Sequence, residues 1–363
     1  MEISPFPYQG PLEPDEVRGR DALVEELVQR VTEHRVTALL GPRRYGKTSV
    51  LRRVGAELEE GGANVVWVDL YEVTSLGDVA VRLDAALAGA TGAFAAHAGT
   101  IAAGAEVNLG VLRIELRRPP RERPDPLAAL HGLLDVLVRA AEATATTVLF
   151  DEFSSIGRIE GAAGLLRTYL QHHYRTIGVV FAGSEPSMMR TLFTGEAQPF
   201  YGQADLVEIG PLDSADVVAL VGEGFEATGR SAGPVGTRVA AFAGGHPQRT
   251  MQLADAAWRR TPAGATATID TWDAALGDVR AATASGLERL YSGFVAGEKA
   301  VLRLVASGTG LFGGTADVLG VPVGTAQHAR DRLVERGDLA GSGAAVTIVD
   351  PVFADWINHR FPL

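Results

Sequence analysis

Two hydrophobic rhythms alternate along this chain. Short unbroken apolar runs occur at 36–41 (VTALLG), 64–71 (NVVWVDLY), 146–153 (TTVLFDEF), 176–185 (TIGVVFAGSE) and 205–212 (DLVEIGPL). Runs of this length without polar alternation suit strands covered on both faces, as in parallel sheets. Between them, apolar positions recur every three or four residues. Leu23, Leu27, Val28 and Val31 form one such stripe over 20–34. Leu51, Val54 and Leu58 form another from Thr48, ending at Gly61 and Gly62. Further helices are predicted from Leu127 to about Ala143, and from Asp213 to about Trp258 with a break at GGHPQ, 244–248. Strand, helix and strand in succession predict an α/β fold around a parallel sheet.

Residues 75–125 are less regular. An Ala- and Gly-rich helical part is followed by EVNLGVLRIELRR, which alternates as a strand pair around Gly110 would. RRPPRERPDP at 117–126 reads as a loop. With five Arg between 113 and 123, it is either a solvated surface or a contact for a partner or nucleic acid. Residues 297–363 predict three short helices and a wing strand.

Composition narrows the possibilities. The 363 residues are 46% hydrophobic and 21% charged, enough apolar content for more than one core. A formal charge of −11 argues against a protein that coats nucleic acid non-specifically. Cysteine is absent, which excludes disulfides and thiolate metal sites. No secretion signal or membrane-length apolar run is evident, so the expectation is a soluble cytoplasmic protein with no membrane partner.

Of the 33 Lys and Arg, only Lys47 and Lys299 are lysine. Lys47 falls in GPRRYGKTS, where Gly41, Gly46, Lys47 and Thr48 match G-x-x-x-x-G-K-[ST] between a predicted strand and helix. Glycines let backbone N–H groups curl round an anion, and the helix N-terminus adds positive potential. The intervening Pro42, Arg43, Arg44 and Tyr45, with Ser49 beyond, complete the candidate nucleotide loop. Lys47 is placed to hold phosphates as a compact charge, and Thr48 to offer a hydroxyl to Mg²⁺. The VLFDE run puts Asp151 at a strand end, as second metal ligand. Glu152 beside it is the candidate general base that polarises water toward the γ-phosphate. Ser184, ending the next strand, either hydrogen-bonds that water or caps the helix that follows.

VRGRDAL, GPRRYGKTSVL, VLFDEF, FAGSEPSMMRTLF, PFYGQ and GGHPQ follow one another in an order that resembles the archaeal-type ATPases. These are a branch of the signal-transduction ATPases with numerous domains (STAND), related to AAA+ P-loop ATPases. The resemblance spans nearly the whole chain. It implies a five-stranded P-loop core over 1–210 with an insertion near 75–125, a helical lid and linker over 211–290, and a winged-helix unit over 291–363. By the same resemblance, Gly19 and Arg20 lie near the nucleotide, while Gly245, His246 and Pro247 close over adenine and ribose. Where relatives often have YGR, this chain has Tyr201-Gly202-Gln203, leaving Arg190 as the nearby candidate for an arginine finger.

The function expected is a Mg²⁺-dependent ATP-binding switch that hydrolyses ATP slowly to ADP and engages a protein partner or a second copy. A DNA-acting ATPase resembling replication initiators or transposition regulators is the alternative. It is not favoured by the charge of 297–363, which holds six basic and seven acidic residues. A non-hydrolysing scaffold is a third possibility.

Overall fold

In the computed structural model, residues 2–105, 107–115, 124–309, 322–343 and 345–363 are described. Five parallel strands form the central sheet: β1 (Thr37–Leu40), β2 (Asn64–Asp69), β3 (Thr146–Asp151), β4 (Gly178–Gly183) and β5 (Asp205–Glu208). Their order is β2-β3-β4-β1-β5. Helices α1 (Asp21–Thr32), α2 (Lys47–Glu60), α3 (Leu76–Gly89), α4 (Gly92–Gly104), α5 (Leu112–Glu115), α6 (Pro126–Glu142), α7 (Ala162–Leu170) and α8 (Pro186–Thr194) belong to this half of the chain.

Side chains alternate across the sheet, so each strand feeds two cores. Leu40, Val148, Phe150 and Phe181 join one cluster with α3, α4 and α6. Leu39, Leu149, Val180 and Val207 join the other with α1 and α2. This double burial is why the strands read as continuous apolar runs. β4 lies between β3 and β1. The chain leaving β4 therefore emerges between the carboxylates that end β3 and the loop that leaves β1. Parallel topology alone brings three separate motifs to one edge.

Beyond the sheet come α9 (Ser214–Glu226), α10 (Val235–Ala243), α11 (Pro247–Arg259) and the long α12 (Ile269–Ser292). Next follow α13 (Ala296–Ala306), α14 (Val323–Glu335), an antiparallel hairpin of β6 (Leu339–Ser342) and β7 (Ala345–Ile348), and α15 (Pro351–Arg360). Residues from Leu212 to Ile357 share a single hydrophobic cluster, and Phe6 from the amino-terminal segment packs into it. Among the described residues no helix is long and apolar enough to cross a membrane.

Two expectations need correction. The predicted strand pair around Gly110 does not form; the described part is a turn leading into α5. The buried Asp84 carboxylate accepts from the N–H groups of Gly110 at 2.6 Å and Leu112 at 3.1 Å. Gly110 has φ +82°, a conformation that favours glycine. A local carboxylate thus supplies the partners that a sheet would have supplied. The helix from Asp213 is also interrupted earlier than expected, between α9 and α10, at TGRSAGP. Most of the Arg-rich loop, and the middle helix expected near 314–322, lie outside the described residues.

Candidate nucleotide site

Backbone geometry builds the loop after β1. A Cβ on Gly41 would stand 2.3 Å from Ile209 Cγ2 and 3.0 Å from the Ile209 carbonyl, so only glycine fits against the chain beyond β5. Arg44 (φ +68°) and Gly46 (φ +86°) adopt left-handed conformations. Alternating handedness turns successive N–H groups inward, forming a concavity suited to an anion. Arg44 bears the strain of that conformation without being glycine, as residues at ligand sites often do. Tyr45 is buried, with its ring edge-on to His246 at a centroid distance of 5.1 Å.

Lys47 opens α2 and is 5% exposed. Its Nζ donates to the carbonyls of Gly41 at 2.7 Å and Pro42 at 2.8 Å. Burial pulls its pKa down to about 8, against the opposing charges of Glu152 and Asp151. The ammonium is held inside its own loop by these two carbonyls. Thr48 donates its hydroxyl to Asp151 Oδ2 at 2.7 Å. Burial raises the Asp151 pKa to about 6, with the Thr48 hydrogen bond partly offsetting the rise.

Glu152 has φ +52°, and its Oε2 accepts from the Ser184 hydroxyl at 2.6 Å and the Ser184 N–H at 3.3 Å. Capping, one of the two roles expected of Ser184, is not seen. Glu185 is the N-cap of α8, and the Ser184 hydroxyl is spent on Glu152. Strand order explains the pairing, because residues 152 and 184 follow adjacent strands. Glu152 is thereby oriented by a neighbour rather than free in solvent.

Lys47, Thr48, Glu152 and Ser184 face one cavity of about 830 Å³, within the range for small-molecule ligands, while Asp151 is buried behind Thr48 and does not line it. Its wall includes Arg43, Arg44, Gly46, Lys47, Thr48, Ser49, Glu152 and Ser184. It continues through His246, Pro247, Gln248 and Met251 at the start of α11. Two further parts were not anticipated: the segment Pro7–Leu12, and Arg336, Asp338, Asp350 and Phe353 from the carboxyl-terminal unit. No local signal marks either as ligand-facing. The Ser49 hydroxyl accepts from Leu12 N–H at 3.0 Å, so this side chain anchors the amino-terminal segment.

Gly19 and Arg20 stand apart from this wall. Arg20 donates to the carbonyls of Gly210 at 2.7 Å and Pro211 at 3.3 Å, tying the start of α1 to the chain after β5. A Cβ on Gly245 (φ +76°) would lie 2.1 Å from the Leu212 carbonyl, which accounts for that glycine by packing. Arg190 is paired with Glu208 on β5 and does not line the cavity. With its amide oriented to satisfy both ends, the Gln203 carbonyl accepts from the Arg167 guanidinium at 2.7 and 3.2 Å.

His246 is 2% exposed and caps α11, its Nδ1 accepting from Arg249 N–H at 3.4 Å. Burial lowers its pKa to about 4, with Asp350 opposing the fall. A neutral ring is required, since a protonated Nδ1 cannot accept. The folded pKa lies below the ordinary 6.5, so this contribution is full above that value and fades as pH falls toward 4. The loss reaches about 3 kcal/mol at most. Urea unfolding should therefore show wild-type stability falling more steeply between pH 6.5 and 4.5 than that of His246→Asn, whose amide caps without titrating. Parallel curves would rule the histidine out as the cause.

Among the described residues no cluster of three or more His, Cys, Asp or Glu could hold a metal unaided. The oxygen pair of Thr48 and Asp151 still fits a hard cation. Mg²⁺ is commonly held by one or two protein oxygens together with phosphates and water. A buried carboxylate whose pKa is raised gains from such a cation.

No protein-family model matches the chain, and no curated protein does. Solved structures do. The Walker-type ATPase PABY2304 of Pyrococcus abyssi superposes with a TM-score of 0.71 at 19% identity, covering 98% of this chain and 99% of that one. The Aeropyrum pernix ORC2 protein, solved as ADPNP-ADP complexes, gives 0.54 at 14% identity, over 98% of each chain. The ORC1 protein of the same organism, solved in complex with DNA, gives 0.53 at 14% identity, over 95% of this chain and 93% of that one. The chain shares the fold of these structures: a five-stranded parallel sheet followed by a helical carboxyl-terminal region. At these identities the likeness speaks for architecture, and function rests on the site.

Proposed function

We propose that the protein binds ATP with Mg²⁺ and hydrolyses it slowly, as a STAND-type switch whose nucleotide state sets the positions of the lid and the carboxyl-terminal unit. The carrying observation is convergence. Lys47, Thr48 with Asp151 bonded behind it, and the Ser184–Glu152 pair meet at one cavity that the lid and carboxyl-terminal unit help to wall. Lys47 and the loop N–H groups hold the phosphates, assisted by Arg43 and Arg44. Thr48 and Asp151 hold the ion, which neutralises charge on the phosphates. Glu152, steadied by Ser184, takes the proton of the attacking water. His246 and Pro247 close the site from the lid. The working division is a core over 1–210, a lid over 211–290 and a winged-helix unit from 291. Its support is the helix, helix and hairpin order of α13, α14 and β6–β7. The reading places the protein in the cytoplasm, with a protein partner or a second copy as its target.

Glu152→Gln tests the chemistry. The amide still accepts from Ser184 but cannot take a proton, so turnover should fall about 10²- to 10⁴-fold while ATP stays bound. Chromatography of bound nucleotide after incubation with Mg-ATP separates the cases. ATP retained by the variant and ADP by wild type is the expected result; identical turnover in both would remove Glu152 as the base and favour a scaffold.

A DNA-acting role is the second reading, favoured by the helix-and-hairpin arrangement of the carboxyl-terminal unit. The charges of α14 weigh against it. Arg330 pairs with Asp331, Arg332 with Glu298, and Arg336 with Asp338. A gel shift whose affinity falls steeply with salt would support it.

A further inference from the structure

Lys47, Arg43 and Arg44 bring positive charge to the cavity from the loop after β1, whereas the wall that follows β3 and β4 carries the carboxylates Glu152 and Glu185. Arg158 is the cation on that second part of the wall. It ends a 3₁₀ helix, Phe153–Arg158, whose N-cap is Glu152. Phe153 and Ile156 are fully buried, which fixes the backbone of this turn in the core. Gly157 brings the turn close to α8, where a Cβ would stand 2.6 Å from the Met188 sulfur. The Arg158 side chain is 60% exposed and pairs with Glu185, the residue after Ser184. The guanidinium is thus parked one residue beyond the group that orients Glu152, on an anchored base with a free arm.

Phosphoryl transfer calls for a cation there. Water bonds to the γ-phosphorus and gives its proton to Glu152, while the bond to the β–γ bridging oxygen breaks and its electron pair leaves with ADP. Charge spreads over the γ-oxygens as this happens, and donors aimed at them lower the barrier. Arg190 is held by Glu208 away from the cavity, and Gln203 carries no charge. We propose that Arg158 supplies the missing charge in cis: its guanidinium leaves Glu185 and donates to the γ-phosphate oxygens in the transition state. Leaving a largely exposed ion pair costs little, whereas a fork of donors on a phosphate in a walled site is among the strong hydrogen bonds. The proposal rests on the hydrolysis reading above and adds a residue to it.

Arg158→Ala in the full chain should bind Mg-ATP within about threefold of wild type while turnover falls about 10³-fold. Calorimetry with ADP and aluminium fluoride, which imitates the transferring phosphoryl group, reads the same difference without turnover. The variant should bind that pair at least about 100-fold more weakly than wild type. Arg158→Lys keeps a cation on the surface and guards against a folding defect; lacking the fork, it should still turn over at least about tenfold more slowly. Mixing Arg158→Ala with Glu152→Gln chains should restore no activity, because an arginine acting in cis cannot serve another chain's site. Turnover of either Arg158 variant within about threefold of wild type would overturn the proposal. So would ATP binding lost in step with turnover, or activity restored by mixing. Wild type that binds Mg-ATP without hydrolysing it would instead sink the hydrolysis reading, and this proposal with it.

Discussion

Lys47→Ala should leave a folded protein whose melting temperature no longer responds to Mg-ATP. The wild-type ammonium is almost fully buried and bonded to two loop carbonyls, with its pKa drawn down to about 8. Burial already costs the charge part of its hydration, so an arriving phosphate restores a partner rather than competing with water. Charge-assisted hydrogen bonds of this kind contribute roughly 1.5–3 kcal/mol each, and losing two should weaken binding at least about 100-fold. At a ligand concentration of about 100 times the wild-type Kd, stabilisation then drops from about 2.7 to about 0.4 kcal/mol. Lys47→Arg should not restore it, because the planar guanidinium is wider than the space the loop leaves for an ammonium. Scanning calorimetry with and without nucleotide reads this directly. An Ala variant that keeps the full ATP-induced shift would refute Lys47 as the phosphate ligand.

Asp350→Ala should be the most destabilising single change at the cavity. Arg249 on α11 is 5% exposed, and its Nε donates to Asp350 Oδ1 at 2.9 Å while a terminal nitrogen reaches Oδ2. The same carboxylate caps α15, accepting from Val352 N–H at 3.0 Å and Phe353 N–H at 3.3 Å. Burial pushes the Asp350 pKa up, but the Arg249 hydrogen bond and charge outweigh it and hold the group below its ordinary value. Its contribution is therefore complete above the unfolded pKa of 3.8 and fades only below it. Removing one partner of such a pair strands a buried charge, at a cost of about 3–5 kcal/mol. The lost cap adds about 1 kcal/mol. Replacing both partners, as Arg249→Met with Asp350→Asn, should recover much of this, because no lone charge remains and the amide still caps. Guanidinium unfolding of the three variants checks the order. A single variant that loses less than 1 kcal/mol would mean the pair is solvated and does not tie α11 to α15. Because the pair joins α11 to α15 at the cavity wall, its loss should also speed release of a nucleotide bound there.

The glycine-rich loop between β1 and α2 was legible in the sequence because its signals are local. Gly41, Gly46, Lys47 and Thr48 lie within eight residues, and each answers a demand of the backbone or the anion. Asp151 and Glu152 were legible through the apolar strand that carries them. Ser184 was legible as a polar strand end but not as the partner of Glu152. That pairing depends on β3 and β4 being neighbours, although 32 residues separate the two side chains. The strand pair expected around Gly110 failed for a related reason: alternation reports half-burial but not what pairs with the backbone, and Asp84 on α3 had already taken the N–H groups.

By itself the sequence determined that a parallel sheet would form, where a glycine-rich loop would run into a helix N-terminus, and which carboxylates would stand at a strand end. These follow from periodicity and short-range sterics, which act within a few residues. Only the tertiary structure decided what encloses that site. The segment Pro7–Leu12, Gln248 and Asp350 reach one cavity from positions up to 343 residues apart, through the hydrophobic cluster shared by Leu212 to Ile357 and Phe6. Hydrophobic burial is non-directional and leaves no motif of its own. Which surfaces meet is settled by how the cores close, and only then does a buried ion pair such as Arg249–Asp350 acquire its role.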